Sequence, residues 1–490
     1  MTRKENELYP DYTGEIEAID KEGISVELLH HIISKHYGNR EYNKKLRDRY
    51  RVIESGVPIF KREPRFEEEK NIVNNKVNND FFAEIIDIKT GYFAGKPFAY
   101  SYSHSVESEE DTGGEQNVDE ATTALTDFTT RSSMYDKDQE VTKFAAMCGY
   151  CGRLVYIDPE GNECLMVIPP WETIILSGEG IGNPRYAVRY FEYKDWKNNS
   201  VCKAEFYDDV NITFFEGQSW IGLHEVERKP HMFDYCPLQG VENNADMQGD
   251  AERVLSLIDA YDRGVSDASN EMESFANSYM VFENIVMDDN ELSKAAKSGA
   301  ICFQSGMNGG KVYFLTKETT GQYQENVLNR LQENIYKFSK TPNLSDTSFS
   351  QTTGTALKFK LTSLEAKCGQ FQAKLQAANV HMFKVLASSF NKKRIEFDPL
   401  QAFVNYKRNF PLDIQSEADA ATKMQAAGIP MRIVLEQLSF IEDVEYAMEL
   451  IEEEKNSIPS LMDTIAGDEQ NEEMNDEPEN NQEGAIFGGQ

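Results

Sequence analysis

GDAERVLSLIDAYDRGVSDASNEMESFANSYMVFE, residues 249–283, is the stretch around which the rest of the chain is arranged. Apolar or small residues fall at Val254, Ile258, Tyr261, Val265, Ala268, Met272, Phe275 and Tyr279. The steps alternate four and three without a slip, which is a heptad seam sustained over more than three repeats. The spacing predicts one helix from Gly249 to Glu283, a rod of roughly 50 Å at about 1.5 Å per residue. Gly264 is the weak spot inside it.

Two further helices follow. Gln322–Lys340 carries Leu328, Leu331, Ile335 and Phe338 on one face. Thr341-Pro342 stops it, because proline disfavours helix in the residue before it. From Gly354 to Lys393, Leu357, Leu361, Leu364, Cys368, Phe371, Leu375, Ala378, Met382 and Val385 repeat the four–three alternation. Between these helices lies the loop Thr341–Thr353, rich in Ser, Thr and Asn, with the single aromatic Phe349.

Asn284–Gly321 separates the first two helices. It reads as a short helix (Asp289–Lys297), a strand (Ala300–Gln304), a Gly-rich turn and a second strand (Lys311–Thr316). A unit this small buries too little surface to stand alone, so a neighbouring subunit is its expected partner. An intramolecular hairpin with a decorated tip fits the pattern, and so does a ring or bundle of subunits. Charge adds a constraint. Residues 249–283 hold eight acids and two bases, a net of −6, whereas residues 321–393 hold ten bases and four acids, a net of +6. Either these are solvated faces of opposite sign, or acidic helices pack near basic ones within or between subunits.

The chain has 490 residues, a net charge of −33, 40% hydrophobic and 27% charged residues. That length holds more than one domain, and the composition is that of a globular protein. Seven irregularly spaced cysteines suggest no disulfide framework, and with no secretion signal at the N-terminus a reducing compartment is expected. No run of eighteen apolar residues predicts a membrane span. The acidic balance argues against non-specific DNA binding through the outer surface.

In chain order, residues 1–22 read as a flexible arm and Ile24–Arg51 as a helix carrying His30, His31 and His36, with no acid or cysteine set to complete a metal shell. Phe81, Ile85, Ile86 and Ile88 predict a helix ending at Gly91, followed by a turn into a strand at Gly95-Lys96-Pro97. Val106–Thr122, with seven acids and no base, reads as a solvated loop. Ala124–Cys148 reads as helix. Short β-rich runs follow at Arg153–Ile157, Cys164–Ile168, Ile174–Leu176, Tyr186–Tyr193, Val201–Tyr207 and Asn211–Phe215. Phe233–Asn244 leads out toward the long helix. After Lys393 come an edge segment to Pro411 and three short helices, Gln415–Ala427, Met431–Leu438 and Glu442–Lys455. Residues 464–490, with eight acids and no base, read as disordered. The predicted class is α+β, mainly helical.

Catalytic signatures do not emerge. Cys148-Gly149-Tyr150-Cys151 has redox or zinc spacing without a second pair. Gly306–Lys311 imitates a phosphate loop, one residue short and with Val312 where Ser or Thr would hold magnesium. Acidic pairs such as Asp288-Asp289 are abundant, and none stands out. No catalytic residue, metal or cofactor is predicted.

Five motifs in order resemble one family, the portal proteins of tailed bacteriophages of the siphophage type. They are NNxxxNxFFxEIIDxKxGYFxGKP at Asn74–Pro97, IPPWETIIL with YAVRY at Ile168–Tyr190, the run Asn243–Tyr279, TGTALKFKLTSLEAK at Thr353–Lys367, and GIPMRIVLEQLSFIEDVEYAMELIEEEK near the C-terminus. The resemblance implies a non-enzymatic ring, commonly of twelve subunits, around an axial channel at one capsid vertex, through which double-stranded DNA is packaged and ejected. It implies a wing at residues 23–248 plus the long wing helix 354–393, stem helices at 249–283 and 322–340, and a clip at 284–321. It further implies a tunnel loop at 341–353 and a crown at 394–463. The implied partners are double-stranded DNA, the terminase large subunit, a head-completion or adaptor protein, and the major capsid and scaffolding proteins, with no membrane. The implied location is the virion, with assembly in the host cytoplasm. In this reading Asn343, Ser345, Asp346, Ser348, Phe349 and Gln351 face DNA, Lys340 and Lys358 are the nearest bases, and Ile258, Tyr261, Val265, Met272 and Phe275 form the stem seam. The loop departs from tight phosphate gripping, since no base lies within Thr341–Thr353. The alternatives are a nuclease or NTPase of the packaging machinery, and a coiled-coil scaffold.

Overall fold

A computed structural model describes residues 3–64, 73–102, 114–178, 180–276, 280–283, 311–314, 321–345, 354–409 and 414–438, with isolated positions at 290 and between 441 and 452. Two compact units emerge, residues 1–409 and 410–490. The first opens with helices α1 (Thr13–Glu22), α2 (Val26–Tyr50) and α3 (Phe81–Phe93), then strand β1 (Ala99–Tyr102), α4 (Gly114–Arg131) and α5 (Met134–Cys148). Strands β2 (Tyr150–Ile157), β3 (Glu163–Ile168), β4 (Thr173–Leu176), β5 (Tyr186–Lys194), β6 (Ser200–Tyr207), β7 (Asn211–Gly217), β8 (His224–Pro230) and β9 (Leu238–Glu242) follow. Then come α6 (Leu255–Ala276), β10 (Met280–Glu283), β11 (Lys311–Phe314), α7 (Gly321–Ser339), α8 (Gly354–Lys392) and β12 (Ala402–Asn405).

The N-terminal residues are not an arm. Tyr12 and Ile19 are buried with Leu29, Ile32 and Ile33 of α2 against Ile174, Val188 and Phe206 of the sheet. Tyr9 donates its hydroxyl to the Ile175 carbonyl at 2.8 Å, and Arg3 pairs with Glu252 at 3.0 Å. A charge-rich composition concealed three apolar side chains spaced to dock. The Ser25 side chain caps α2 by accepting from the Leu28 amide at 3.2 Å. His36 is buried on this helix between the hydroxyls of Tyr190 (2.7 Å) and Tyr150 (2.9 Å). Burial holds its imidazole down at about 3, so it stays neutral.

All strand pairs are antiparallel, in sheets ordered β4-β5-β6-β7-β8, β3-β2-β9, β1-β12 and β10-β11. The six β-rich runs all form strands. Two strands escaped the pattern. β8 reads HEVERKP and is exposed throughout, an edge strand guarded by charge. β9 reads LQGVE and is buried throughout, its alternation broken by Gln239 and Gly240. The segment Phe233–Asn244 therefore returns into a sheet before reaching α6. Residues 114–122 are the first turns of α4 rather than loop, while residues 106–113 lie outside the described residues. Ser133, at φ 49, breaks what read as one helix into α4 and α5. Gly149 closes α5 at φ 93, where any side chain would strike the Met247 carbonyl.

The helix expected over 249–283 is shorter than its pattern. A 3-10 turn at Glu252–Val254 leads into α6, whose 22 residues make a rod of about 33 Å. Residues 280–283 are strand instead, pairing Met280 with Phe314, Val281 with Tyr313, Phe282 with Val312 and Glu283 with Lys311. The aromatic and β-branched residue types at these positions favour strand over another helical turn. The remainder of 284–320, including Asp288-Asp289, lies outside the described residues apart from position 290 and β11. Within α6, Val254 and Ile258 are buried, Tyr261 and Val265 half-buried, and Met272 is 76% exposed; the Phe275 side chain lies outside the described residues. Gly264 is no accident of sequence: a Cβ there would sit 2.9 Å from Leu328 of α7. On α7 the buried residues are Ile335, Tyr336 and Ser339, so Phe338, exposed, is off the expected face. α8 follows its pattern closely. Leu361, Leu364, Cys368, Phe371, Leu375, Ala378, Met382 and Val385 are all buried.

The second unit contains α9 (Ile414–Ala426) and α10 (Met431–Gln437), separated by Gly428 at φ 78. The expected third helix and residues 464–490 lie outside the described residues, save scattered positions up to 452.

Ile258 packs with Phe81, Ile335 and Tyr336 in a core joining α3, α6 and α7. Ile258→Asp should cost about 3–5 kcal/mol, through loss of an aliphatic side chain and burial of a polar one. Thermal denaturation of the soluble variant measures it; an unchanged melting temperature would contradict the packing described.

Candidate functional site

The base of the loop that begins at Thr341 is built from α3, α6, α7 and α8. The last turn of α7 is fixed by Tyr336, whose hydroxyl donates to Glu84 at 2.9 Å and whose ring meets Phe81 edge-on at 5.7 Å. Lys340 then takes φ 56, and the Thr341 amide bonds back to the Tyr336 carbonyl at 3.1 Å. A left-handed residue closing a helix end turns the chain sharply. Thr341 and Pro342 are buried, and Leu344 and Ser345 are exposed.

Lys367 of α8 grips this turn. Its ammonium donates to the Ser339 carbonyl at 3.1 Å and lies 3.5 Å from the Thr341 hydroxyl. It also lies 3.4 Å from the Asp250 carboxylate, which Lys89 of α3 approaches at 3.2 Å. Asn243 completes the cluster, receiving a bond from Lys89 and donating to Asp250 at 2.9 Å. Lys89 is wholly buried, its ammonium 4.6 Å from the Phe371 ring centroid. Burial raises the Asp250 carboxyl, but the two ammonium groups outweigh it and hold it below the usual range. Burial lowers the Lys89 ammonium, with Asp250 opposing. An ionised Asp250 between two lysines thus joins α3, α8, the loop's first residue and the turn that leads into α6. Beside it, Arg408 forks onto Glu365 at 2.9–3.2 Å and reaches Gln372 at 2.7 Å, while Tyr92 donates to Glu365 at 2.9 Å. An open cleft of about 510 Å³ lies over the cluster, with Arg253, Lys340, Lys367 and Lys374 among its lining residues.

Of the residues singled out for DNA, Asn343 and Ser345 form a turn, the Ser345 amide donating to the Asn343 side chain at 3.1 Å. Lys340 is exposed beside them. Asp346, Ser348, Phe349 and Gln351 lie outside the described residues, as does the Lys358 side chain. Cys148 and Cys151 are buried thiols bonded to the carbonyls of Asn43 and Val141. His31 bonds Glu15 and His30 bonds Ser34, apart from His36. Among the described residues no group of three or more His, Cys, Asp or Glu could hold a metal, and no helix is long and apolar enough to cross a membrane. Residues 306–310 lie outside the described residues, and Lys311 starts β11. Sequence reading missed Lys89, Asn243, Asp250 and Lys367. One signal was available: in FFAEIIDIKTGYF, Lys89 stands four residues after Ile85 and four before Phe93, on the apolar face.

The family described as "Phage portal protein, SPP1 Gp6-like" matches residues 29–460, and the chain belongs to it. The portal protein of Clostridium phage phiCD119 is 24% identical over 425 residues, covering 82% of this chain and 89% of that protein. The portal protein of Bacillus phage SPP1 is 23% identical over 439 residues, covering 85% of this chain and 83% of that protein. This is a phage portal protein, a virion component of a family whose role is a ring channel for DNA packaging.

Asp250→Asn should destabilise the chain by about 3–5 kcal/mol at neutral pH, because Lys89 is left buried without its counter-charge. A depressed carboxyl stabilises above its ordinary value near 3.9 and stops doing so as pH falls through the depressed one. The gap between variant and wild type should therefore close in strong acid, as denaturant midpoints at neutral and acid pH would measure.

Proposed function

We propose that copies of this chain close into a ring whose axial channel admits double-stranded DNA, with the loop from Thr341 to Thr353 lining its narrowest part. Residues 23–248 with α8 form the wing, α6 and α7 the stem, 284–321 the clip and 394–463 the crown. The observation that carries the reading is the unfinished seam. Ile258 is covered within the chain, but Met272 is 76% exposed, as are Tyr323 (70%) on α7 and Phe359 (77%) on α8. Large apolar side chains left bare on α6, α7 and α8, of which α6 is acidic and α8 basic, suit a heterologous contact, which closes into a ring when its rotation permits.

The loop is polar and held at its start by Lys367. Asn343, Ser345, Asp346, Ser348, Phe349 and Gln351 offer hydroxyls, amides and one ring, which make weak contacts blind to sequence. Each fixed ion pair would add a salt-dependent hold on a polymer that must travel. Lys340 and Lys358 flank the loop without entering it. The protein carries no catalytic step in this reading. It docks the terminase large subunit during packaging and a head-completion protein afterwards, within a shell of major capsid and scaffolding proteins assembled in the host cytoplasm.

Two experiments test this. Met272→Asp should leave the melting temperature of the unassembled chain nearly unchanged while abolishing rings seen end-on by electron microscopy; rings of normal appearance would contradict a seam shared between subunits. Deleting residues 346–351 should allow rings and empty capsids to form while DNA packaging falls at least tenfold, and normal packaging would remove the loop from the DNA path.

A further inference from the structure

We propose that the open cleft over the Asp250 cluster takes a backbone phosphate of double-stranded DNA, so that each subunit meets the duplex at the base of its loop as well as along it. The inference rests on the channel reading given above. The cleft, of about 510 Å³, is walled by the turn that leads into α6, the last residues of α7 and the middle of α8. Ser339 and Lys340, the two residues before the loop, belong to that wall.

Its charge runs against that of the chain. Arg253, Lys340, Lys367 and Lys374 line it against two acids, Asp246 and Asp250, in a protein of net −33. Two of these bases are held in place. Lys367 is fixed by the Ser339 carbonyl and by Asp250, and Lys374 pairs with Glu242, which does not line the cleft. Asp250 also meets Lys89, so that carboxylate is more than neutralised. The other two bases are exposed. Arg253 meets Asp246 only at 3.5 Å, and both side chains are mostly exposed, so the pair is screened by water and a phosphate can replace the carboxylate. Lys340 stands at φ 56, in a turn closed by the Thr341 amide on the Tyr336 carbonyl, so its backbone is fixed while its side chain is exposed.

The lining suits a phosphate better than a protein segment. Among the described lining residues Phe338 is the only large apolar side chain, and it is half exposed. A protein partner needs an apolar centre to bury. A nucleic-acid backbone needs only cations and polar donors, and Gln370, exposed on α8, adds an amide to the four bases. Such contacts carry no sequence information. The two acids in the wall weaken the grip, so the duplex is steadied without being arrested.

The test uses rings of the full chain and a short fluorescent duplex of arbitrary sequence, followed by anisotropy over a range of salt. Wild-type rings should bind it with an affinity that falls steeply as salt rises. The double variant Arg253→Gln, Lys340→Gln should form rings that bind about tenfold more weakly, with a shallower salt dependence. Ala373 is an exposed residue of the cleft wall. Ala373→Lys should tighten binding and Ala373→Glu should weaken it, which decides the matter if the double variant fails to fold. Unchanged binding in all of these, with loss on deleting residues 346–351, would overturn the inference and leave the channel reading standing. Wild-type rings that bind no duplex would overturn both. Displacement of the duplex by polyglutamate as readily as by unlabelled DNA of equal charge would assign the cleft to an acidic protein segment and overturn the phosphate contact. A saturating rise in melting temperature with inorganic phosphate, in rings whose affinity for the duplex the variants leave unchanged, would make the cleft a site for free phosphate and overturn the DNA contact.

Discussion

One carboxylate, Asp250, receives two ammonium groups from different helices, and the way α3, α7 and α8 meet hangs on that arrangement. Lys89 brings α3 to it and Lys367 brings α8. Because Lys367 also donates to the Ser339 carbonyl at the end of α7 and lies 3.5 Å from the Thr341 hydroxyl, Asp250 and the first residue of the loop share one ammonium group. Apolar packing alone would let these helices slide by fractions of a turn. A buried charge cluster tolerates no such slippage, since any displaced partner is left in a medium that solvates it poorly. The loop thus begins from a fixed point.

The same device recurs across the first unit. Arg49 of α2 reaches Asp259 of α6 at 2.7 Å, and Arg40 reaches Glu192 at 3.2 Å with its guanidinium 4.7 Å from the Tyr190 ring centroid. Arg3, Arg40, Arg49 and Lys89 all have side chains less than a tenth exposed. A chain carrying 83 acids and 50 bases has placed several of its scarce bases inside, where each ties two elements together.

Long periodic segments were the most legible part of the sequence. α8 buries the positions its four–three spacing marked from Leu361 to Val385, because a regular seam of nonpolar side chains has one favourable way to be covered. Strands with clean alternation were legible too. β8 and β9 were not, since one is all surface and the other mixes Gly and Gln into a fully buried run. α6 was overextended for a different reason. Its seam continues through Tyr279 in sequence, but a distant segment, Lys311–Phe314, competes for residues 280–283, and no local pattern reveals such a competitor. The loop that begins at Thr341 was read from polarity and a proline. Its anchor was not, because the ion cluster gathers residues 89, 243, 250 and 367, which only the folded chain brings together.

The β10–β11 pair has a mechanical meaning. Chain leaves α6 and returns toward α7 through two strands bonded side by side over 280–283 and 311–314. Two separate tethers swivel independently, each peptide absorbing rotation by itself. Strands joined by a ladder form a ribbon that resists twisting, because torsion must shear every rung together. A torque applied to the residues carried between Glu283 and Lys311 is therefore met by both strands together, as a couple, instead of by each alone.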